Sequence, residues 1–245
     1  MNKITWELVT DKITLKKNEI HIWLCDITTM RIELNNFTKV LSKEEIKKAN
    51  KFHFEKDRNS YIFSHANLRF ILAKYLKEQP KEIKFFVNEF GKPFLYSSSN
   101  DNLMFNLSHS GNFCLIGITL NNEIGIDIEK INPDFSTVEI AEKFFSKKEY
   151  ESLIQVPKLL RKKSFFNCWT RKEAFIKAVG KGLSISLKSF DVTLDENPKI
   201  VRYDKNNLNN WHLDDIKIND EYCAALVVSG ENKKRFRYFR NTYKL

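Results

Sequence analysis

"EIGIDIEKI" runs from Glu123 to Ile131, and 104 positions upstream "EIHIWLCDI" runs from Glu19 to Ile27. Ile20, Ile22, Leu24 and Ile27 fall on Ile124, Ile126, Ile128 and Ile131. Apolar residues at alternate positions mark a strand with a buried face. The same shift lays "KVLSKEEI" (Lys39–Ile46) on "KFFSKKEY" (Lys143–Tyr150). It also lays Ser60-Tyr61-Ile62 on Ser164-Phe165-Phe166, and Ile71-Leu72 on Phe175-Ile176. Near the end the offset becomes 109, and "NFCLIGIT" (Asn112–Thr119) matches "EYCAALVV" (Glu221–Val228). A register kept over most of the chain indicates an internal duplication. Each half reads strand, helix, long helix, strand, closing strand. The expected fold is α+β: two similar tandem α/β halves, residues 1–120 and 121–245, related by a pseudo-twofold in one compact unit. A ligand site is expected between them, where concave surface is available.

The long helices carry their own signals. In "DRNSYIFSHANLRFILAKYLKEQP" the apolar positions Tyr61, Ala66/Leu68, Ile71/Leu72 and Tyr75/Leu76 recur near helical spacing and stop before Pro80. "KSFFNCWTRKEAFIKAVGKG" has Phe165/Phe166, Trp169, Ile176 and Val179, and ends in Gly180 and Gly182, residues that suit a helix C-terminus.

The chain has 245 residues, 42% of them hydrophobic, with 7 Gly and 5 Pro, which excludes a disordered polymer. The formal charge of +10 points to a phosphate-rich or acidic partner, or to solvated lysine faces. Cys25, Cys114, Cys168 and Cys223 form no CxxC pair and sit in apolar or aromatic runs, so they are expected reduced and buried in a cytoplasmic protein. "MNKITWELVTDK" is too charged for a secretory signal, and no apolar run approaches the ~18 residues of a membrane span.

The chemistry concentrates in the second half. Asp127 and Glu129 stand at i and i+2 of a strand and share one face. Two adjacent carboxylates repel unless a cation joins them or one keeps a proton. Oxygen ligands in a short pair suit Mg²⁺, which takes one or two carboxylates plus phosphate and water. The competing reading is the polar side of an edge strand. Trp169, Glu173 and Lys177 follow at i, i+4 and i+8, nearly one stripe of a helix. Trp169 is expected in the core, with Glu173 and Lys177 at the edge of the stripe facing a cleft. In isolation Glu173 and Lys177 read as a surface ion pair; beside Asp127 and Glu129 they suggest a third metal carboxylate and a phosphate-binding lysine. In the first half, "FGKPF" (Phe90–Phe94) holds Lys92 on a stiff turn, and "LSHSG" (Leu107–Gly111) places Ser108 and His109 before a turn. No HExxH, GxGxxG, Gly-rich Lys-Ser loop or nucleophile elbow is present.

These segments resemble the 4′-phosphopantetheinyl transferases of the surfactin-synthetase-activating type. The matching stretches are "FGKPF", "FNLSHSGNF", "IGIDIEKI", "FFSKKEYESL", "WTRKEAFIKAVGKGLSISLKSFDV" and "LSKEEIKKANKFHFEKDRNSYIFSHANLRFILAKYL", in family order over about residues 20–228. The resemblance implies two similar halves with coenzyme A between them. It implies transfer of the phosphopantetheine arm of coenzyme A to a serine of an apo acyl or peptidyl carrier protein, releasing adenosine 3′,5′-bisphosphate. By resemblance Asp127, Glu129 and Glu173 hold Mg²⁺ on the pyrophosphate, and Lys177 and His109 contact phosphates. Ser108 and Lys92 bind the nucleotide end, and Lys48 approaches the 3′-phosphate. Glu173, directly or through water, is the expected base toward the carrier serine, and Lys177 neutralises the leaving group. Glu149 matches a further acidic position. The family's members with both halves in one chain imply a monomer. Where many relatives carry an arginine-rich run, this chain has "DRNSY", leaving only Arg58.

Two other classes compete: a Mg²⁺-dependent phosphohydrolase or nuclease, and a basic nucleic-acid-binding module using the tail "ENKKRFRYFRNTYKL". The first leaves the order of the motifs unexplained. The second leaves three carboxylates without a purpose, because acidic groups repel phosphates unless a metal intervenes. The tail is read instead as a surface strand or solvated end, and neither nucleic acid nor membrane is an expected partner.

Overall fold

The computed structural model describes residues 4–8, 13–30, 34–96, 102–203, 210–230 and 234–241. The first half contains β1 (Glu7–Leu8), β2 (Glu19–Asp26), α1 (Leu34–Thr38), α2 (Lys43–Ala49) and α3 (Glu55–Leu76). A hairpin of β3 (Phe85–Val87) and β4 (Pro93–Leu95) follows, then β5 (Leu103–Ser110) and β6 (Phe113–Leu120). The second half repeats the series with β7 (Ile124–Lys130), α4 (Thr137–Phe144), α5 (Lys147–Gln155) and α6 (Lys158–Val179). It continues through β8 (Phe190–Val192), β9 (Ile200–Tyr203), β10 (Trp211–Asp215) and β11 (Tyr222–Ser229), and ends in an additional strand, β12 (Arg235–Asn241).

The duplication read from the sequence holds residue for residue in the ladders. Cys25 of β2 pairs with Cys114 of β6. Offsets of 104 and 109 carry these positions to Glu129 and Cys223, which pair on β7 and β11. The short helices are started by the same device. Ser42 and Ser146 each accept from the backbone N–H three residues on, while Glu45 and Glu149 accept from the cap N–H. The long helices α3 and α6 both span 22 residues and stop at left-handed Lys77 and Gly180. α6 begins well before "KSFF", directly after Pro157.

The strands form a five-stranded sheet, β1-β12-β2-β6-β5, and a three-stranded sheet, β10-β11-β7. One apolar core lies under α3, with Trp23, Ile71, Phe105 and Ile116, and another surrounds α6, with Phe165, Phe175, Phe190 and Val227. A third core joins the halves. In it Ile20, Ile22 and Leu24 of β2 pack with Ile124, Ile126 and Ile128 of β7. The alternating isoleucines of the two repeats thus belong to one shared core. The four cysteines are free and buried, as expected. Among the described residues no helix is long and apolar enough to cross a membrane.

The tail differs from its sequence reading. Arg235–Asn241 is a strand, as one of the two readings has it, but one side of it enters the core; it lies between β1 and β2, paired in parallel with both. Phe239 is fully buried, and Asn241 donates to Asn67 of α3 within the interior. The cations of "RFRYFR" hid this role: Arg237 shares the strand face of Phe239, lies over its ring at 4.8 Å and pairs with Glu7, while Arg240 pairs with Asp26.

Gly125, the glycine of "IGIDIE", sets the distance between β7 and α6. A Cβ there would lie 2.0 Å from the Ala174 carbonyl oxygen and 2.3 Å from the Ala178 nitrogen, both rigid helix backbone. Gly125→Ala is therefore expected to destabilise the protein by about 1–3 kcal/mol or more and to push α6 away from the strand carboxylates. A denaturation midpoint equal to that of the wild type would show that the helix moves aside without cost.

Candidate active site at the seam of the two halves

β5 and β7 are edge strands of different sheets and run side by side. Polar side chains at alternate positions of β5 close the seam. Asn106 Oδ1 accepts from the Ile126 N–H at 2.9 Å, Ser108 Oγ donates to Asp127 Oδ1 at 2.9 Å, and Ser110 Oγ donates to Glu129 Oε2 at 2.9 Å. This trio, apart from Ser108, went unread in the sequence. Its signal was the period-two alternation of Asn106, Ser108 and Ser110 with Phe105, Leu107 and His109.

Asp127 is 3% exposed. Its Oδ1 receives Lys177 Nζ at 2.6 Å as well as Ser108, while its Oδ2 is buried without a hydrogen-bond partner. Lys177 also donates to Ser108 Oγ at 3.0 Å and to the Ile126 carbonyl at 3.2 Å. Burial first, then the Asp127 charge, with Glu173 adding to them, pushes the Glu129 carboxyl up to about 7. Burial and Asp127 likewise raise Glu173. Asp127, Glu129, Glu173 and Lys177 therefore share one electrostatic site. Among the described residues no three acidic or imidazole side chains converge into a ready metal shell, and the Lys177 ammonium sits on the Asp127 oxygen. The donor set still fits a hard cation. An orphaned carboxylate oxygen and two carboxyls whose pKa values are raised by burial and by the Asp127 charge are what a cation would relieve.

The remaining expected residues distribute as follows. Ser108 lies in the site, between Asp127 and Lys177. His109, next on the strand, points to the opposite face, where Nδ1 lies 3.3 Å from Ser60 Oγ of α3. Desolvation lowers its pKa, and the charges of His65 and Lys177 lower it further. Lys48 stands at the mouth of a cleft of about 780 Å³, its Nζ 5.5 Å from the Tyr61 ring centroid. Arg69, Phe86, Pro93 and Asn106 also line that cleft, so it leads along β5 toward Ser108. Lys92 is not brought to the carboxylates. Its ammonium is buried, 2.7 Å from Glu123 Oε2 and 2.9 Å from the Ala178 carbonyl, where it ties the first-half turn to the second half. Those two contacts are its partners in this structure. Glu149 is also structural, since it accepts from Lys172 Nζ, Val192 N and Ser146 N. Trp169 packs with Phe165 beside the second core, as expected.

A second cleft, of about 640 Å³, occupies the equivalent place in the second half. Glu44, Glu45 and Lys48 of the first become Lys148, Glu149 and Ser152 of the second. Lys48 thus has a serine, not a lysine, as its counterpart in the second cleft.

A duplicated α+β unit with an acidic seam beside a basic-walled cleft defines an enzyme that handles phosphorylated groups. Comparison with known proteins gives the family. Residues 123–227 match the 4′-phosphopantetheinyl transferase superfamily, and residues 28–120 match the family described as 4′-phosphopantetheinyl transferase, N-terminal. The chain is 33% identical over 229 residues to the 4′-phosphopantetheinyl transferase HetI of Nostoc sp., covering 92% of this chain and 94% of that protein. It is 33% identical over 168 residues to the 4′-phosphopantetheinyl transferase Sfp of Bacillus subtilis, covering 69% and 73%. A holo-[acyl-carrier-protein] synthase structure from Thermotoga maritima is 25% identical over 46% of this chain and 64% of that one, with a TM-score of 0.37, too low to argue from. The chain belongs to the 4′-phosphopantetheinyl transferase family, surfactin-activating type, and is an enzyme.

Proposed function

We propose that the enzyme transfers the 4′-phosphopantetheine group of coenzyme A to a serine of an apo acyl or peptidyl carrier protein, with Mg²⁺ at the β5–β7 seam. The observation that carries the site assignment is the buried, unpartnered Oδ2 of Asp127, set beside two carboxyls whose pKa values are raised by burial and by the Asp127 charge. Asp127, Glu129 and Glu173 would hold the ion. When bound, the ion supplies charge stabilisation to the pyrophosphate oxygens.

The chain's own residues do the rest. The nucleotide end lies in the 780 Å³ cleft, where Lys48 meets the 3′-phosphate; His109, two residues beyond Leu107 of its wall, contacts the phosphates. Lys177 turns from Asp127 to the pyrophosphate and neutralises the leaving adenosine 3′,5′-bisphosphate. Ser108 releases its bond to Lys177 and orients toward the same phosphates. Glu173, with its carboxyl raised by burial, is placed to take the proton of the carrier serine as its oxygen attacks the β-phosphorus of coenzyme A. Both halves of the site are in one chain, which acts as a monomer. Four reduced cysteines fit a cytoplasmic enzyme. Incubation with coenzyme A, Mg²⁺ and an apo carrier protein tests the reaction. A mass gain of one phosphopantetheine arm on the carrier is expected; salt-sensitive DNA binding without any transfer would overturn it.

The chain's charge of +10 suits an acidic carrier. Electrostatic steering predicts that the second-order transfer rate falls as ionic strength rises. Stopped-flow rates that stay constant between low and high salt would leave the net charge without a role in encounter.

A further inference from the structure

Ser110 is the last residue of β5, directly before Gly111, with its hydroxyl in a fixed polarity. Its oxygen accepts the Lys130 N–H at 3.0 Å. Its only hydrogen then goes to Glu129 Oε2 at 2.9 Å. Lys130 is opposite Tyr222 in the β7–β11 ladder, and the neighbouring Ile131 N–H already bonds the Glu221 carbonyl. In an antiparallel pair successive N–H groups alternate sides, so the Lys130 N–H faces β5. Ile126, four residues earlier, uses the same side and meets Asn106 Oδ1. Asn106 and Ser110 thus substitute for backbone acceptors along the seam, and Ser110 passes the constraint on to a carboxylate.

We infer that Ser110 is a positioning residue, which fixes Glu129 through the strand backbone and so sets the second carboxylate of the cation seat. This rests on the Mg²⁺ reading of that seat. Without the hydroxyl, Glu129 has no other hydrogen-bond donor among the described contacts and is free to leave Asp127, whose charge repels it. Asp127 is held by Ser108 and Lys177 and stays in place. Outer groups that orient a metal carboxylate are typically worth about 10–100-fold in affinity.

The test is direct binding of Mn²⁺, as a paramagnetic probe for the Mg²⁺ seat, followed by electron paramagnetic resonance at fixed pH with coenzyme A present. Ser110→Ala is expected to weaken Mn²⁺ binding by about 10–100-fold. In transfer assays it raises the Mg²⁺ concentration for half-maximal rate while kcat at saturating Mg²⁺ stays near the wild-type value. Ser110→Thr keeps the hydroxyl and restores binding. A role in folding alone would lower the melting temperature of Ser110→Ala and leave Mn²⁺ affinity per folded molecule unchanged. That result overturns the inference if Asp127→Ala, measured beside it, still loses Mn²⁺. If neither Asp127→Ala nor Glu129→Ala changes Mn²⁺ binding, the seat itself is wrong and the role of Ser110 falls with it.

Discussion

Asp127→Ala is expected to reduce transfer by roughly 10³-fold, the rate equivalent of the several kcal/mol that a cation supplies to a phosphoryl transition state. The folded protein is expected to survive the change. Removing Asp127 deprives Lys177 of its closest partner, a cost on a buried pair. Lys177 is 28% exposed, however, and keeps Ser108 and the Ile126 carbonyl. Against that cost stand two gains. The orphaned Oδ2 disappears, and the charge that raises Glu129 and Glu173 is gone. The net shift in stability without metal should stay within about 1–2 kcal/mol, because the opposing contributions are each of that order. Thermal melting without metal, together with Mg²⁺-dependent transfer, separates the readings. A clearly less stable Asp127→Ala protein that still transfers in Mg²⁺ would reduce Asp127 to a structural partner of Lys177.

Lys177 gives that outcome a second check. Its ammonium lies on Asp127 Oδ1, beside the unpartnered Oδ2. Lys177→Ala should therefore slow transfer while leaving the seat more open to Mn²⁺. The edge position on α6, half-buried between core residues Ala174, Ile176 and Ala178, makes a large loss of stability unexpected.

Much of this arrangement was legible because duplication and strand period are written in local sequence. The shifts of 104 and 109 matched the two halves position by position, and Asp127 and Glu129 shared a face by alternation alone. Glu173 and Lys177 followed from helical spacing on a helix whose end Gly180 marked. Lys92 could not be read in the same way. Its partner Glu123 lies 31 residues away, and the Ala178 carbonyl belongs to a helix of the other half. Ser110 was visible as a residue but not as a donor to Glu129, because the β5–β7 seam joins two sheets with no ladder between them. The buried side of the tail was missed for a third reason. Its cations dominate the composition, while its one decisive ring, Phe239, finds a core made by β2 and α3 more than 160 residues earlier.

That ring carries the other large expected effect. The pseudo-twofold that places β5 beside β7 would also place β10 beside β2. There β12 is hydrogen-bonded along β2, with Phe236 opposite Ile20 and stacked on His212 of β10. The strand thus fills the seam that would be the counterpart of the active one, and the molecule is left with a single open seam. Phe239 packs against Trp23 and the buried His21 at centroid distances of 4.8 and 4.9 Å. Phe239→Ala is expected to lower unfolding free energy by about 3–5 kcal/mol, the cost of a large cavity in a packed core. Deleting residues 231–245 should do more, since it also strips the hydrogen-bond partners from β2 and leaves an apolar edge open to aggregation. Phe239→Ala leaves in place the side-chain bonds that join β5 to β7. Transfer per folded Phe239→Ala molecule, measured below its melting temperature, should therefore remain near wild type, the reverse of Asp127→Ala. A Phe239→Ala protein that melts normally but transfers poorly would mean that β12 acts on the site rather than on the fold.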